Sequence, residues 1–414
     1  MSSIRFAPLL CLLLACGGAA DRDVPDASRA ATASARDYLY LWTASTDSTQ
    51  PDFLAVFDVT APPGDTGRYG DLVTTLPVPG RRNVPHHTEH ELPADRQLFA
   101  NGYATGRSFV FDLSTPEAPR IAAEFGDVDD YMHPHSFLRL PGGNVLATFQ
   151  MKHMSNGGMR AGGLVELTPT GTVVRSASAD SPAADSGLRV YSAAVMPAID
   201  RVVTTSTSME ADFPEASRTL QIWRLSDLTV LQSLRLPGPN GELSAEPRLL
   251  ADGRRLLVST FSCGLFLVDG LDGGTPTVTQ VSSFPRKKDE NCAIPVIVGN
   301  FYLVTVPAWS AVVSLDISDP TAPKEVSRVS FDSSDVPHWI AVSPDQRRVV
   351  VTGYETMSHS VHLLAFDPVA GTLTRDPRFR DAGSTTPGVR MDNKAWPHGG
   401  STKGRPHGAL FSRP

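Results

Sequence analysis

The feature that most constrains the fold is a strand-like phrase that recurs along the chain. Most copies are alternating apolar runs that end near an acidic residue and precede a turn, often with proline. A strand-built repeat of this length is typical of a β-propeller in which each repeat forms one four-stranded blade. The sequence therefore predicts an all-β, seven-bladed β-propeller. The copies lie 45 to 56 residues apart and begin at Leu54, Phe109, Leu164, Leu220, Leu265, Val312 and Val361.

The two ends of the repeat region predict how the ring closes. The first repeat lacks an inner strand, because residues 38–42 already form a second strand that leads to the third at Leu54. A spare strand lies at the end of the chain, in residues 407–412. We expect it to become the inner strand of blade one, because closure removes open sheet edges. The Gly- and Pro-rich segment 382–405 then crosses to it.

The N-terminus predicts export. Arg5 precedes an apolar run, residues 6–15, that is too short to span a bilayer and is typical of a signal peptide. Cys16, flanked by small residues, is typical of a bacterial lipoprotein signal, although an ordinary secretory peptide with an incidental cysteine is the alternative. We predict a signal peptide in 1–16, a flexible tether in 17–36 and the propeller in 37–414. Acylated Cys16 would anchor the protein to the bacterial cell envelope, facing the periplasm or the exterior.

The net charge bears on the class of binding partner, and the cysteine content bears on disulfide formation. The net charge of −7 argues against nucleic acid as a partner. We expect a small-molecule substrate and a monomer or weak oligomer. After export, Cys263 and Cys292 remain, and an oxidising compartment favours a disulfide between them. Such a bond would stabilise the fold by roughly 3 kcal/mol. The alternative makes Cys292 a thiolate metal ligand.

Histidines recur at one position of the inner strands. When the strands are aligned on the turns that end them, blades one, two, three and seven place His407, His87, His135 and His338 at equivalent points. Inner strands of a propeller begin near the axis, so these four imidazoles would crowd one mouth of the central channel. The same position in the other blades is held by Tyr191, Ala245 and Cys292.

Crowded imidazoles protonate poorly, whereas transition metals bind their neutral nitrogens well. The sequence therefore predicts a metal site suited to copper, non-haem iron or zinc. The alignment leaves His86, His90 and His133 as rival ligands and His398 as a candidate fifth; His153, His359 and His362 are expected on the surface or in loops. The alternative to metal binding is that each histidine is an ordinary core or surface residue of its strand. Residues expected to orient the rings are Glu89, Glu91, Glu246 and Tyr191.

Several segments resemble the selenium-binding protein/methanethiol oxidase family. They are Pro85-His86-His87, His133-Pro134-His135-Ser136 with the following Leu-Pro-Gly-Gly-Asn-Val-Leu, Ser262-Cys263-Gly264, and the segment around His407. The resemblance implies a seven-bladed propeller and, from bacterial members, an exported copper-dependent oxidase of methanethiol. It supports His87 and His135 as site residues, followed by His86 and His407. One departure is that the double histidine continues as Thr-Glu-His-Glu, without the family's cysteine.

A second resemblance is to carotenoid-cleaving oxygenases. Pro406-His407-Gly408 is similar to the last histidine motif of that family, which implies a propeller with iron held by four axial histidines. The sequence has no glycine-rich phosphate loop, no GxSxG elbow and no helical zinc motif.

These observations predict a metal-dependent, copper-first oxidoreductase that acts on a small substrate, with sulfur compounds as candidates. The alternatives are a non-catalytic binding module, an envelope metal-binding protein and an iron dioxygenase.

Overall fold

A computed structural model describes residues 36–60, 69–153, 159–181, 188–209, 217–285, 291–353 and 359–412. The predictions on the signal peptide, on Cys16 and on nearly all of the tether fall outside these ranges. Within them, no helix is long and apolar enough to cross a membrane.

The chain forms seven antiparallel sheets, each the blade of a β-propeller, as predicted. From the axis outwards, blade one contains β29 (Gly404–Phe411), β1 (Tyr38–Ser45), β2 (Phe53–Asp58) and β3 (Leu72–Pro77). Blade two contains β4 (Pro85–Thr88), β5 (Gln97–Gly102), β6 (Arg107–Asp112) and β7 (Arg120–Phe125). Blade three contains β8 (Tyr131–Arg139), β9 (Val145–His153), β10 (Met159–Leu167) and β11 (Val173–Ser178).

The remaining blades follow in chain order. Blade four contains β12 (Val190–Met196), β13 (Arg201–Ser206), β14 (Thr219–Arg224) and β15 (Thr229–Arg235). Blade five contains β16 (Ser244–Leu249), β17 (Leu256–Thr260), β18 (Gly264–Asp269) and β19 (Thr277–Ser283). Blade six contains β20 (Pro295–Val298), β21 (Phe301–Val306), β22 (Ala311–Asp316) and β23 (Lys324–Ser330). Blade seven contains β24 (Pro337–Val342), β25 (Arg348–Gly353), β26 (Ser360–Phe366) and β27 (Leu373–Arg375), with β28 (Val389–Arg390) paired to β26.

The recurring phrase is the third strand of every blade. Each of the seven copies falls in β2, β6, β10, β14, β18, β22 or β26. These strands are buried on both faces, as in β2, where all six residues are buried, because the neighbouring blades cover them. The outermost strands alternate instead, and β7 exposes every second residue.

The C-terminal strand closes the ring as predicted. β29 is the innermost strand of blade one and pairs antiparallel with β1, with Leu39 opposite Phe411 and Leu41 opposite Ala409. It also bonds to blade seven, because Trp339 Nε1 donates to the carbonyl of Ala409 at 2.8 Å. Blade one is thus built from both ends of the described chain.

The disulfide between Cys263 and Cys292 is present, with the two Cα atoms 4.9 Å apart. It joins the turn after β17 in blade five to the segment before β20 in blade six. Cys292 is therefore a cystine, and the alternative of a free thiolate ligand does not fit this structure.

Candidate metal centre

Hydrogen bonds between blades show which residues occupy equivalent positions near the axis. In four places a threonine hydroxyl on the second strand of one blade donates to the carbonyl of an inner-strand residue of the next. Because the same bond recurs, the residues that accept it lie at equivalent points of the ring. The pairs are Thr148 with Tyr191, Thr205 with Ala245, Thr305 with His338 and Thr352 with His407.

Five buried histidines meet at this level. They include all four predicted ring residues together with the rival His86, and they come from blades one, two, three and seven. His86 lies at the centre, with its ring centroid 4.4 Å from that of His87, 4.9 Å from that of His135 and 4.3 Å from that of His407. The centroid of His338 lies 4.9 Å from that of His407.

Three of these rings fit one metal ion. One nitrogen from each of His86, His87 and His135 can be chosen so that all three lie within 4.8 Å of one another. The Nε2 atoms of His86 and His135 are 3.1 Å apart. Two nitrogens that bind one metal at about 2.0–2.1 Å in a tetrahedral arrangement lie roughly 3.3 Å apart. In addition, Nε2 of His87 is buried and has no hydrogen-bond partner among the described residues.

Backbone carbonyls fix the tautomers of two rings. Nδ1 of His135 lies 2.8 Å from the carbonyl oxygen of Tyr191, and Nδ1 of His407 lies 2.5 Å from that of His86. Because a carbonyl oxygen only accepts, each Nδ1 carries the proton and each Nε2 presents a lone pair. This is the arrangement in which an imidazole binds a metal through Nε2.

Burial keeps the cluster neutral. It lowers the pKa of His135 to about 3 and that of His407 to about 4. For His86 and His87, burial first and then the neighbouring histidines lower the pKa well below its ordinary value, and His338 behaves in the same way. Neutral imidazoles are poor anion sites and good ligands for transition metals.

The other three candidate ligands lie elsewhere. His90 stacks on Trp339, with centroids 4.2 Å apart, and its ring nitrogens bond to Arg248 and to the carbonyl of Ile340. His133 bonds through Nδ1 to the carbonyl of Tyr103. The ring of His398 lies 2.7 Å from the hydroxyl of Thr75 on the outermost strand of blade one.

The expectation of a surface or loop position was wrong for His362, which lies in β26, whereas His359 lies in the loop before that strand. Both histidines are buried, each 8% exposed. His359 Nδ1 donates to the carbonyl of Gly404, and His362 lies in β26 with Nε2 3.1 Å from a carboxylate oxygen of Asp335. The segment that crosses to blade one covers both, which the local sequence does not reveal.

The carboxylates expected to orient the rings have other partners. Glu89 accepts from the guanidinium of Arg139, at 2.7 Å, and from the backbone of Phe99; burial raises the pKa of Glu89 to about 7. Glu91 is exposed and lines a cavity next to Pro344. Of the residues expected to orient the rings, Tyr191 does contact the cluster: its carbonyl accepts from His135 and its ring lies 3.9 Å from that of His135.

Glu246 belongs to a polar bridge that the sequence did not indicate. Its carboxylate accepts from Ser192 at 2.8 Å and from Arg248 at 2.7 Å. The same arginine donates to His90 at 2.9 Å and to the carbonyl of Pro295 at 2.9 Å, so it links blades five, two and six across the axis. The sequence does not single out Arg248 among the arginines of the chain. What distinguishes Arg248 is that its side chain points towards the propeller axis.

A cavity of about 710 Å³ opens beside the cluster. It is lined by residues of blades four to seven, among them Tyr191, Phe261, Trp309 and His338. The blades that carry few of the clustered histidines therefore supply the space next to them.

The chain is similar in sequence to a methanethiol oxidase and in structure to a selenium-binding protein. A methanethiol oxidase from Hyphomicrobium sp is 25% identical over 350 residues, which cover 76% of this chain and 75% of that protein. The solved structure of a hypothetical selenium-binding protein from Sulfolobus tokodaii matches 91% of this chain and 94% of its own, with a TM-score of 0.73 at 17% identity. The predicted resemblance to the selenium-binding protein/methanethiol oxidase family is confirmed. No family model matches the chain.

The propeller fold itself extends beyond this resemblance. The periplasmic gluconolactonase of Pseudomonas aeruginosa matches 92% of this chain and 99% of its own, with a TM-score of 0.63 at 14% identity. A likeness at that identity shows the fold alone. The histidine cluster, rather than the propeller, therefore has to carry any functional conclusion.

Proposed function

We propose that this protein is a metal-dependent oxidoreductase that oxidises a small, sulfur-containing substrate. The observation that carries the proposal is the convergence of His86, His87 and His135 on one buried point. The similarity to methanethiol oxidase supports a sulfur compound as the substrate. Copper is the first choice of metal, because neutral imidazoles bind it well and it tops the affinity order of the divalent metals.

The residues of the chain have separate roles in this scheme. His86, His87 and His135 would hold the metal, with His338 and His407 as further ligands from the same cluster. The carbonyls of Tyr191 and His86 keep two rings in the tautomer that binds through Nε2. Burial excludes bulk water from the cluster, and the adjacent cavity admits the substrate.

The bound metal would supply a redox-active Lewis-acid centre at this point. With methanethiol, breaking one C–H and one S–H bond would release two electrons and two protons and leave thioformaldehyde, which water would hydrolyse to formaldehyde and hydrogen sulfide. One dioxygen would take up both electrons and both protons to give one hydrogen peroxide.

Metal content and oxygen uptake test this proposal. We expect about one equivalent of copper in the purified protein and oxygen uptake with methanethiol that chelation abolishes. His87→Ala should lose the metal and the activity, whereas His398→Ala, whose ring lies outside the cluster, should keep both. Less than about 0.3 equivalents of any transition metal, unchanged by His87→Ala, would contradict the proposal.

The same measurements separate the alternatives. Tight metal binding without turnover on thiols indicates an envelope metal-binding protein. Absence of metal, with ligand binding that survives His87→Ala, indicates a non-catalytic binding module.

A further inference from the structure

We propose that the cavity beside the cluster binds an uncharged organosulfur compound with a bulky apolar body, so that the preferred substrate is much larger than a one-carbon thiol. The inference rests on the proposed function, because it assigns the substrate class of the same site.

The cavity reaches the histidine cluster. Two of its lining residues, Tyr191 and His338, also contact the clustered rings. The ring centroid of Tyr191 lies 3.9 Å from that of His135, and the centroid of His338 lies 4.9 Å from that of His407. A molecule in the cavity can therefore present one end to the cluster while its remainder stays among the lining residues.

The cavity is too large for a minimal substrate. Its volume of about 710 Å³ lies within the range of small-molecule sites, on the order of 300–1,000 Å³. A water molecule takes up roughly 30 Å³ of liquid, so a molecule of two heavy atoms would fill on the order of a tenth of this space. Such a small occupant would leave most of the apolar lining in contact with water.

The part of the lining that the structure describes carries no acidic or basic side chain other than the neutral His338. Most of the polar residues there carry hydroxyl or amide groups, and the exception, the His338 imidazole, is kept neutral because burial lowers its pKa. A charged ligand group would lose its hydration without gaining an ion partner, which is costly. The larger apolar and aromatic side chains of the lining are Met209, Leu243, Phe261, Trp309, Phe331 and Val336.

Neighbouring residues outside the cavity fix the positions of its aromatic lining residues Phe261 and Phe331. The disulfide fixes Phe261, since the backbone of Cys292 donates to the carbonyl of Phe261 at 3.3 Å. Phe331 is backed by the ring of His362, 4.4 Å away, which is itself paired with Asp335. Walls that are already in place lose little conformational freedom when a ligand binds, which favours a specific occupant.

The Trp309 wall is held in the same way. Its Nε1 donates to the carbonyl of Pro285 at 3.1 Å, and the guanidinium of Arg328 lies 4.1 Å from the centre of its ring. Trp309 also reports on the cavity, because a ligand in contact with an indole changes its fluorescence.

Binding of three thioethers tests the inference, because thioethers cannot reduce the disulfide. The probes are benzyl methyl sulfide, dimethyl sulfide and the para-carboxylate of benzyl methyl sulfide, titrated calorimetrically against the metal-free protein and the copper-loaded protein. We expect benzyl methyl sulfide to bind at least about tenfold more tightly than either of the others to both forms. Equal affinities for the three probes would overturn the inference.

Blocked variants locate the binding. Ser333→Trp and Val336→Trp each add bulk at the cavity wall and should weaken binding of benzyl methyl sulfide at least about tenfold. Val369→Trp is the matched control, because Val369 is 89% exposed on another part of blade seven. Unchanged binding in both wall variants, with circular dichroism showing that they are folded, would also overturn the inference. The metal-free arm separates this failure from that of the proposed function, because it does not require metal or turnover.

Discussion

At the residue scale, the orientation of the rings depends on backbone carbonyls rather than on carboxylates. Tyr191 and His86 supply those carbonyls, whereas Glu89 and Glu246 neutralise arginines instead. The reason is that both glutamates are buried beside a guanidinium, and a buried carboxylate needs a charged partner. Every residue has a carbonyl, so no sequence pattern could have pointed to this role.

The depressed histidine pKa values predict how stability depends on pH. In the folded metal-free protein the pKa of His135 is about 3 and that of His407 about 4, below their ordinary values in the unfolded chain. Above about pH 6.5 both states are neutral and the full stability is present; as the pH falls, only the unfolded chain gains protons, so stability is lost. The loss is on the order of 2 kcal/mol for each of these groups between pH 6.5 and pH 5.

Urea unfolding of the chelated protein at pH 7 and pH 5 measures this effect. The raised pKa of Glu89 acts in the opposite direction over the same range, but it is one group against five histidines. His135→Asn should show a smaller difference between the two pH values than the wild type. Equal stability of the wild type at both values would contradict the prediction.

The repeat set the positions of the histidines that the sequence placed near the axis. The alignment identified His87, His135, His338 and His407, and the structure brings all four together. It could not choose between His86 and His90, because a short strand with a register shift between Pro85 and Thr88 departs from simple alternation. The structure selects His86 and turns His90 towards Arg248.

At the element scale, β29 has two roles. It supplies the inner strand of blade one, and it carries His407 into the cluster. Hydrogen bonds from Thr352 and Trp339 of blade seven hold it in place. Fold closure and metal binding should therefore depend on the same strand.

Deleting residues 407–414 tests this dependence. Because the deletion opens the ring and exposes the inner edge of β1, we expect the unfolding free energy to fall by more than about 4 kcal/mol. Metal content should fall with it. Deleting only residues 413–414, which lie beyond β29, is the control and should change neither quantity; a stable ring without residues 407–414 would disprove the closure.

The disulfide links blades five and six, and its removal should affect stability but not metal binding. Cys263→Ser combined with Cys292→Ser should lower the unfolding free energy by roughly 3 kcal/mol. Metal content should stay at the wild-type level, because neither sulfur belongs to the histidine cluster. Unfolding curves and metal analysis of the double variant check both points, and a loss of metal in a folded variant would restore the thiolate interpretation.

At the scale of the whole molecule, different blades supply the histidine cluster and the cavity beside it. Blades one, two, three and seven supply the five histidines, and blades four to seven line the cavity. Blade seven contributes to both through His338. A ring places residues that are far apart in sequence at one axial point, which explains how one site combines residues as distant in sequence as His86 and His407.

We propose that the whole molecule is an exported lipoprotein anchored through Cys16. Cys16→Ser should move the protein from the membrane fraction to the soluble fraction, because the acyl chains would be lost. Cys11→Ser, inside the apolar run, is the matched control and should remain with the membrane. Fractionation followed by immunoblotting measures the outcome, and a membrane-bound Cys16→Ser variant would show that another feature anchors the protein.

The sequence by itself determined the number of blades, the closing strand and the disulfide, because each rests on periodicity, on chain ends or on a count of cysteines. It also located the ring histidines, since equivalent points of a repeat fall at equivalent points of the ring. Only the tertiary structure decided which rings converge, which carbonyls orient them and where the cavity lies. Those features arise between blades, from side-chain directions and contacts across the axis, and no single repeat contains the information that sets them.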